Sequence, residues 1–476
     1  LPCFLGTDFW SALMGFARIS PTNSASSLLL NDGFKEVLDV NAMVGMIFFE
    51  VAGGPYGAEP VVRKGGAILS ILGFLFIPLI WSLPIAVMTA ELCSHDPHVG
   101  GKIHFVHKSW GPWLGWMNGW FNAVSNVFDV ACLPAMAMGY LETLLGVVLL
   151  EDVRWWISFT LILIVVLTNI AGVDIVGKVS YAVCILVCAP PLLLVALGVP
   201  KMGALPSTNW QEVQWLHFLT SLMWNTSGFD DAGASAAEIQ APSEIYPKAL
   251  GISVALITAL YVLPIAVGVA IEPETQLWHD GFLATIGTRV GGQALGSLLS
   301  CAGFISSVAQ LNALLCTSVR EIICLSDQEG QPVPAILGRL HPTFRTPHIG
   351  TVVFSLVLLG TFKYHFVELI AATVIFDCVS FLIQFATWIR FRYLSTDEAD
   401  GAINGTNAYR APLGFKAILL WSLGPMLLCS AVLYLTLSTG GDAFYGTILT
   451  YVTGEVLYRI YQFQRWWRKD QVPPSG

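Results

Sequence analysis

Charge is what this chain has least of. Only 12% of its 476 residues are Asp, Glu, Lys or Arg, where a soluble domain carries about a quarter. The apolar share is 55% and the mean hydropathy +0.67. Disorder and a water-soluble globule are both excluded, and with the globule goes the soluble multi-domain enzyme that such a length would otherwise suggest. Basic charge is scarcer still. The 23 Lys and Arg against 32 Asp and Glu leave a net charge of −9, with no basic patch short of the C-terminus, which excludes nucleic-acid binding. No HExxH, GxSxG or nucleotide-binding loop occurs, so neither an intramembrane enzyme nor an ATP-driven pump is encoded in this chain. CxxC is absent, and no Cys/His cluster has zinc spacing. The cysteines, most of them inside apolar runs (Cys132, Cys184, Cys188, Cys301, Cys378, Cys429), read as small packing residues rather than disulfide partners or metal ligands. No cofactor or metal is expected.

What the chain does have is long apolar runs. A helix needs about 20 mainly apolar residues to cross a bilayer. Candidate spans fall at about 38–62, 66–93, 111–142, 154–172, 175–198, 213–238, 247–271, 292–325, 347–363, 365–394, 412–437 and 441–463. Lys and Arg accumulate on the cytoplasmic side of membrane proteins. With the N-terminus inside, 17 of the 23 basic residues fall on inner segments and only six outside: Arg63, Lys64, Arg154, Lys201, Arg289 and Lys363. Both termini are therefore expected in the cytoplasm of a multi-pass protein embedded in lipid. Residues 1–37 read as a cytosolic lead-in, 199–212 as an extracellular loop, 395–411 as a cytosolic loop and 464–476 as a cytosolic tail. The sequon at Asn404 would lie on an inner loop and that at Asn225 inside a span, so neither should be glycosylated.

Two spans are interrupted. Val51-Ala52-Gly53-Gly54-Pro55-Tyr56-Gly57 holds three glycines and a proline, which cost about 1 and about 3 kcal/mol each in a helix interior. Asn225-Thr226-Ser227-Gly228-Phe229-Asp230-Asp231-Ala232-Gly233 is again polar and glycine-rich at mid-depth. Freed backbone groups in lipid are tolerated only where they line a cavity. Breaks at matching positions of two five-helix halves, 38–198 and 213–394, are the pattern of an inverted-repeat transporter with its site at the breaks. Pro84, Pro134, Pro190-Pro191 and Pro264 stand alone in apolar runs and need only kink them.

The ionisable groups placed within spans are almost all acidic: Glu50, Asp129, Asp230, Asp231 and Asp377, with Glu91, Glu238 and Glu368 nearer span ends as gate or surface charges. No Lys or Arg falls deep in a span on this reading. Intramembrane charges are costly and mark function by default. Carboxylates without basic partners need protons or a cationic ligand. The first half-helices, ending near Ala52 and Thr226, present carbonyls with about half a negative charge, which favours an ammonium. Tyr56, Trp224, Phe229, Phe304, Tyr261 and Trp388 offer aromatic faces to such a cation. For Glu50, capping of the amides freed at the break is as good a reading as ligand contact. His217 reads as a satisfied core residue.

At these residues the chain resembles the amino acid–polyamine–organocation superfamily, and within it the plant and protist polyamine uptake permeases. The likeness is carried by Phe48-Phe49-Glu50-Val51-Ala52-Gly53-Gly54-Pro55-Tyr56-Gly57, by Trp81-Ser82-Leu83-Pro84 and Thr89-Ala90-Glu91, by Gly100-Gly101, by Gly115-Trp116 through Asp129, and by Trp224-Asn225 with Phe229-Asp230 and Glu238. It covers about residues 38 to 463. The resemblance implies an all-α polytopic membrane protein of 12 transmembrane helices. These would form a LeuT-type 5+5 inverted repeat with broken helices 1 and 6, plus two C-terminal helices at 412–463. It also implies alternating access and proton-driven uptake of putrescine-, cadaverine- or spermidine-like amines at the plasma membrane. The family's acidic positions fall on Asp129 and Asp230, and its aromatic before the second acid falls on Phe229. Asn312 stands near a family glutamate, Thr373 replaces an acid and Asp377 introduces one.

The expected substrate site is therefore Asp129, Asp230, Phe229, Trp224, Tyr56, Gly53, Gly54, Asn312, Asp377 and Phe304, with Glu50, Asp129 and Asp230 as candidate proton carriers. A cationic amino-acid permease for arginine, lysine or ornithine is the nearest rival. Sodium coupling through Ser306 and Ser307 and a non-transporting amine sensor are others. Monomer and homodimer both stay open.

Overall fold

The computed structural model describes residues 36–207, 209–327, 331–362, 364–397, 408–439 and 442–470. The lead-in before residue 36, most of the 395–411 loop with its sequon, and the last six residues lie outside the described residues. Secondary structure within them is helical, with two isolated bridge pairs and no strand.

The first span begins as α1 (Val40–Val51), whose N-cap Asp39 accepts from the Ala42 amide at 2.8 Å. It ends where composition requires: Gly53 and Gly54 take φ values of +62° and +113°, which residues with a side chain rarely adopt. The chain resumes as α2 (Glu59–Gly65). A long bent helix follows: α3 (Ala67–Ile77), a π-helical turn over Pro78–Ser82, and α4 (Leu83–His95). The Pro78 and Pro84 rings remove ladder donors there, and one wide turn absorbs the mismatch. Next come α5 (Lys102–Trp110), α6 (Pro112–Leu145), α7 (Glu151–Ala171) and α8 (Val173–Gly198).

The second interrupted span opens as α9 (Trp215–Trp224), passes through residues 225–230 without regular structure, and continues as 3-10 turns at Asp231–Ala234 and Ala236–Glu238. The rest is α10 (Pro242–Ile271), α11 (Phe282–Asp327, kinked at Gly292), α12 (His348–Leu358), α13 (Phe366–Asp397), α14 (Phe415–Thr439) and α15 (Asp442–Asp470). Each expected span thus has its helix or broken helix. Eight are long and apolar enough to cross a membrane, and shorter apolar helices stand at Val40–Val51 and His348–Thr361.

Helix α11 is central, packed on α6, α8 and α7, while α13 packs on α6 and α14, and α8 and α10 flank α1. The usual inside-out arrangement of a soluble protein is reversed at the surface. Leu75, Phe76, Leu79, Ile164, Leu167, Ile185, Leu186 and Leu420 all point outward, whereas Asn118, Asn122, Ser125, Asn225 and Gln310 are buried. A belt of outward leucines and isoleucines is stable only against lipid. The protein is an integral, multi-pass membrane protein.

Candidate functional site

The two breaks face one another, and side chains from other helices satisfy the backbone they free. Ser306 on α11 donates to the Gly53 carbonyl at 2.6 Å, and Asn225 donates to the Gly57 carbonyl at 3.2 Å. Ser82 donates to the Thr226 carbonyl at 2.9 Å, Trp81 to the Ser227 hydroxyl at 3.0 Å, and Tyr246 to the Ala232 carbonyl at 2.9 Å. The cap of the amides after the first break is Glu59, which accepts from the Gly57 amide at 3.0 Å and from the Tyr140 hydroxyl at 2.7 Å. That corrects one reading of Glu50. Its two carboxylate oxygens are buried and make no hydrogen bond to any described residue.

Between the breaks lies a small polar cavity of about 20 Å3, room for about one water. Glu50, Asp129, Asp230, Asp231 and Asp377 line it, with Asn126, Ser227, Gln310, Thr373 and Trp224. The structure therefore brings together Glu50, Asp129, Trp224, Asp230 and Asp377 from four separate stretches of sequence. Gly53 is held against Ser306 and Gln310, and Gly54 against Tyr56. On one side the Trp224 indole donates to Asp129 at 2.6 Å and meets the ring of Phe366 edge-on at 5.5 Å, which closes the cavity there.

Other expected site residues serve the scaffold in this conformation. The Tyr56 hydroxyl donates to the Val187 carbonyl at 3.3 Å while its ring packs edge-on to Tyr140. Asn312 accepts from Thr168 at 2.7 Å and from Asn169 at 2.9 Å, which pins α11 to α7. Phe229 is fully buried, and Phe304 is packed on the flank of the hydrophobic core. None of these four lines the cavity.

One residue of the site escaped the sequence reading. Lys102, counted there among cytoplasmic loop residues, is buried at the N-terminus of α5 with its ammonium among three carboxylates: Asp231 at 2.5 Å, Asp230 at 2.9 Å and Glu321 of α11 at 3.2 Å. Asn126 completes the Glu321 contact at 2.7 Å. The signal for it was the glycine pair just before it. A Cβ on Gly101 would stand 2.6 Å from the Gly233 carbonyl, so only glycine lets this loop press against the second break. Two further acids placed at span ends are also buried in ion pairs. Arg320 forks onto Glu238 at 2.6 and 3.0 Å, and Arg392 holds Glu91 at 2.5 Å with Trp388 donating at 3.1 Å. Basic residues thus do enter the bundle, and the carboxylates are partly compensated. The cavity itself remains acidic, with five carboxylic residues against one lysine. Buried charge in that excess needs a bound cation or protons.

The amino acid permease family matches residues 38–453 of the chain. A polyamine transporter of Arabidopsis thaliana is 28% identical over 409 residues, covering 84% of this chain and 80% of that protein. One of Oryza sativa subsp. japonica is 27% identical over 439 residues, covering 90% and 80%. An aromatic amino acid transport protein of Escherichia coli (strain K12) is 24% identical over 296 residues, covering 58% and 63%.

Proposed function

The chain belongs to the amino acid permease family and is a membrane transporter rather than an enzyme, and from that premise we propose that it imports small polyamines such as putrescine, cadaverine and spermidine in symport with protons. The observation that carries the substrate class is the acidic cavity between the two breaks. A cationic amine fits that charge, whereas an amino acid's carboxylate would face Glu50 and would find one fewer amide donor at Pro55. The names of the plant relatives agree with this reading.

In the proposal one ammonium binds Asp230 and the carbonyl end of α9, and the other reaches Asp129 or Asp377. Glu50 carries the proton, because a buried carboxylate without a partner is stable only when neutral. The twelve segments form a LeuT-type 5+5 inverted repeat, 38–198 and 213–394, with two additional helices. The transporter alternates access across the plasma membrane with the α5 end and both termini facing the cytoplasm.

The test is uptake of labelled putrescine by the purified chain in liposomes with an alkaline lumen. Asp129→Asn and Asp230→Asn each remove one charged contact of about 2–5 kcal/mol, enough to lower uptake at least about 30-fold. Cadaverine and spermidine should compete and ornithine should not. Uptake unaffected by both substitutions, or displaced by ornithine alone, would reject the reading.

A further inference from the structure

Lys102 is a wall between two cavities. With Asp230 it lines both the central cavity and a second, smaller one of about 10 Å3, bounded by Met88, Cys93, Phe105 and Thr387 on the α5 side. At this ammonium three elements meet: α5, the second break with Asp230 and Asp231, and α11 with Glu321. Nearby, the Gly100 amide donates to the Ala234 carbonyl and Arg320 of α11 pairs with Glu238. Gln384 of α13 approaches Asp230 at 3.4 Å from the same side.

We propose that Lys102 is a tethered ammonium that shuts the α5 end of the pathway in the substrate-free transporter and is displaced from Asp230 by the arriving amine of the substrate. The proposal rests on the reading of the central cavity as an amine site. The charge it supplies is the charge the substrate supplies. Without either, Asp230, Asp231 and Glu321 repel across the gap between the break and α11, and the wall does not close. When a substrate ammonium takes Asp230, the hold on α5 weakens and the two cavities can join. Once substrate has left, Lys102 returns to the carboxylates, and the empty carrier can close on the α5 side and reset. A cation carried on the chain thus does between cycles what the substrate does during them. Its loss should spare the half of the cycle that runs loaded and impair the half that runs empty.

Two measurements on the full chain in liposomes test this. The first needs no substrate. Cys93 lies in the second cavity and is buried, so its labelling by a membrane-permeant maleimide, read by peptide mass spectrometry, reports whether the wall is shut. Lys102→Gln should speed labelling about fivefold or more, and Lys102→Arg should stay near the wild-type rate. The second compares putrescine exchange, in liposomes preloaded with putrescine, with net uptake into empty ones. In Lys102→Gln, exchange should stay within about threefold of wild type while net uptake falls about tenfold or more. A Lys102→Gln, Glu321→Gln double variant carries less unpaired charge and should show the same split if the single variant is poorly folded.

Unchanged Cys93 labelling, or equal loss of exchange and net uptake in both variants, would overturn the proposal. So would equally accelerated labelling of Cys132, fully buried in α6, because Lys102 would then merely hold the fold together. A wild-type chain that moves no diamine would reject the substrate reading instead, and Cys93 labelling would still decide the role of Lys102.

Discussion

Replacing Gly53 by alanine tests whether the first break is a built feature or an incidental kink. Gly53 has φ +62°, and a Cβ there would lie 2.3 Å from the Ser306 hydroxyl and 2.5 Å from the Gln310 amide nitrogen. The left-handed backbone costs an alanine about 1–2 kcal/mol. Clearing the Cβ also forces Ser306 away from the Gly53 carbonyl that it bonds at 2.6 Å, a loss of about 1–2 kcal/mol for a buried carbonyl left unpaired. The sum is about 2–4 kcal/mol, or roughly 30- to 700-fold in the equilibrium constant. Gly146 isolates the backbone contribution. It has φ +68° and ψ +24° and nothing within 4 Å of a Cβ, so Gly146→Ala should cost only about 1–2 kcal/mol. Reversible unfolding in mixed detergent micelles with rising dodecyl sulfate measures both. The expected order of stability is wild type, Gly146→Ala, Gly53→Ala. A Gly53→Ala chain no less stable than Gly146→Ala would refute the close approach of the break to α11.

Two further outcomes follow from the ion pairs and from the loop before α5. Glu91→Gln strands the buried Arg392 guanidinium and should destabilise by about 3–5 kcal/mol, whereas a Glu91→Leu, Arg392→Met pair should recover most of the loss; the same unfolding titration decides, and a fully stable Glu91→Gln chain would show that the pair contributes nothing. Burial, with the facing His104 ring stacked at 3.9 Å, pushes the His98 imidazole down to about 4, and burial holds His107 at about 4 as well. The folded chain keeps both neutral where the unfolded chain would protonate them, so stability should fall as pH drops from about 6.5 to about 4 and level off below. His98→Gln should remove about half of that slope in melts across the same window, and an unaltered slope would contradict it.

Much of the site was legible before any fold was known. The break at 51–57 is visible because three glycines and a proline cannot sustain a helix whatever surrounds them. The acids at 129 and 377 stand out because their neighbours are apolar, and those at 230 and 231 because they fall in the second break. Asn312 and Tyr56 looked equally suitable as ligands, since a polar residue in an apolar run carries no mark of what it bonds. The structure turns the first to Thr168 and Asn169 and the second to Val187. Glu91 and Glu238 looked like surface charges for the same reason, their arginines lying 301 and 82 residues away.

Local sequence alone determined that this chain lives in a bilayer and where two of its apolar segments break, because those properties depend on residues within a turn or two of one another. Only the tertiary structure decided which charge answers which. Lys102 meets Asp230 across 128 positions of sequence, and the glycine pair before it marks a close approach without naming the acids it meets. Its place among three carboxylates is set by the packing of α5 against the second break. Long-range electrostatics of this kind has no periodicity to read, since the energy of a buried charge belongs to whatever surrounds it in space.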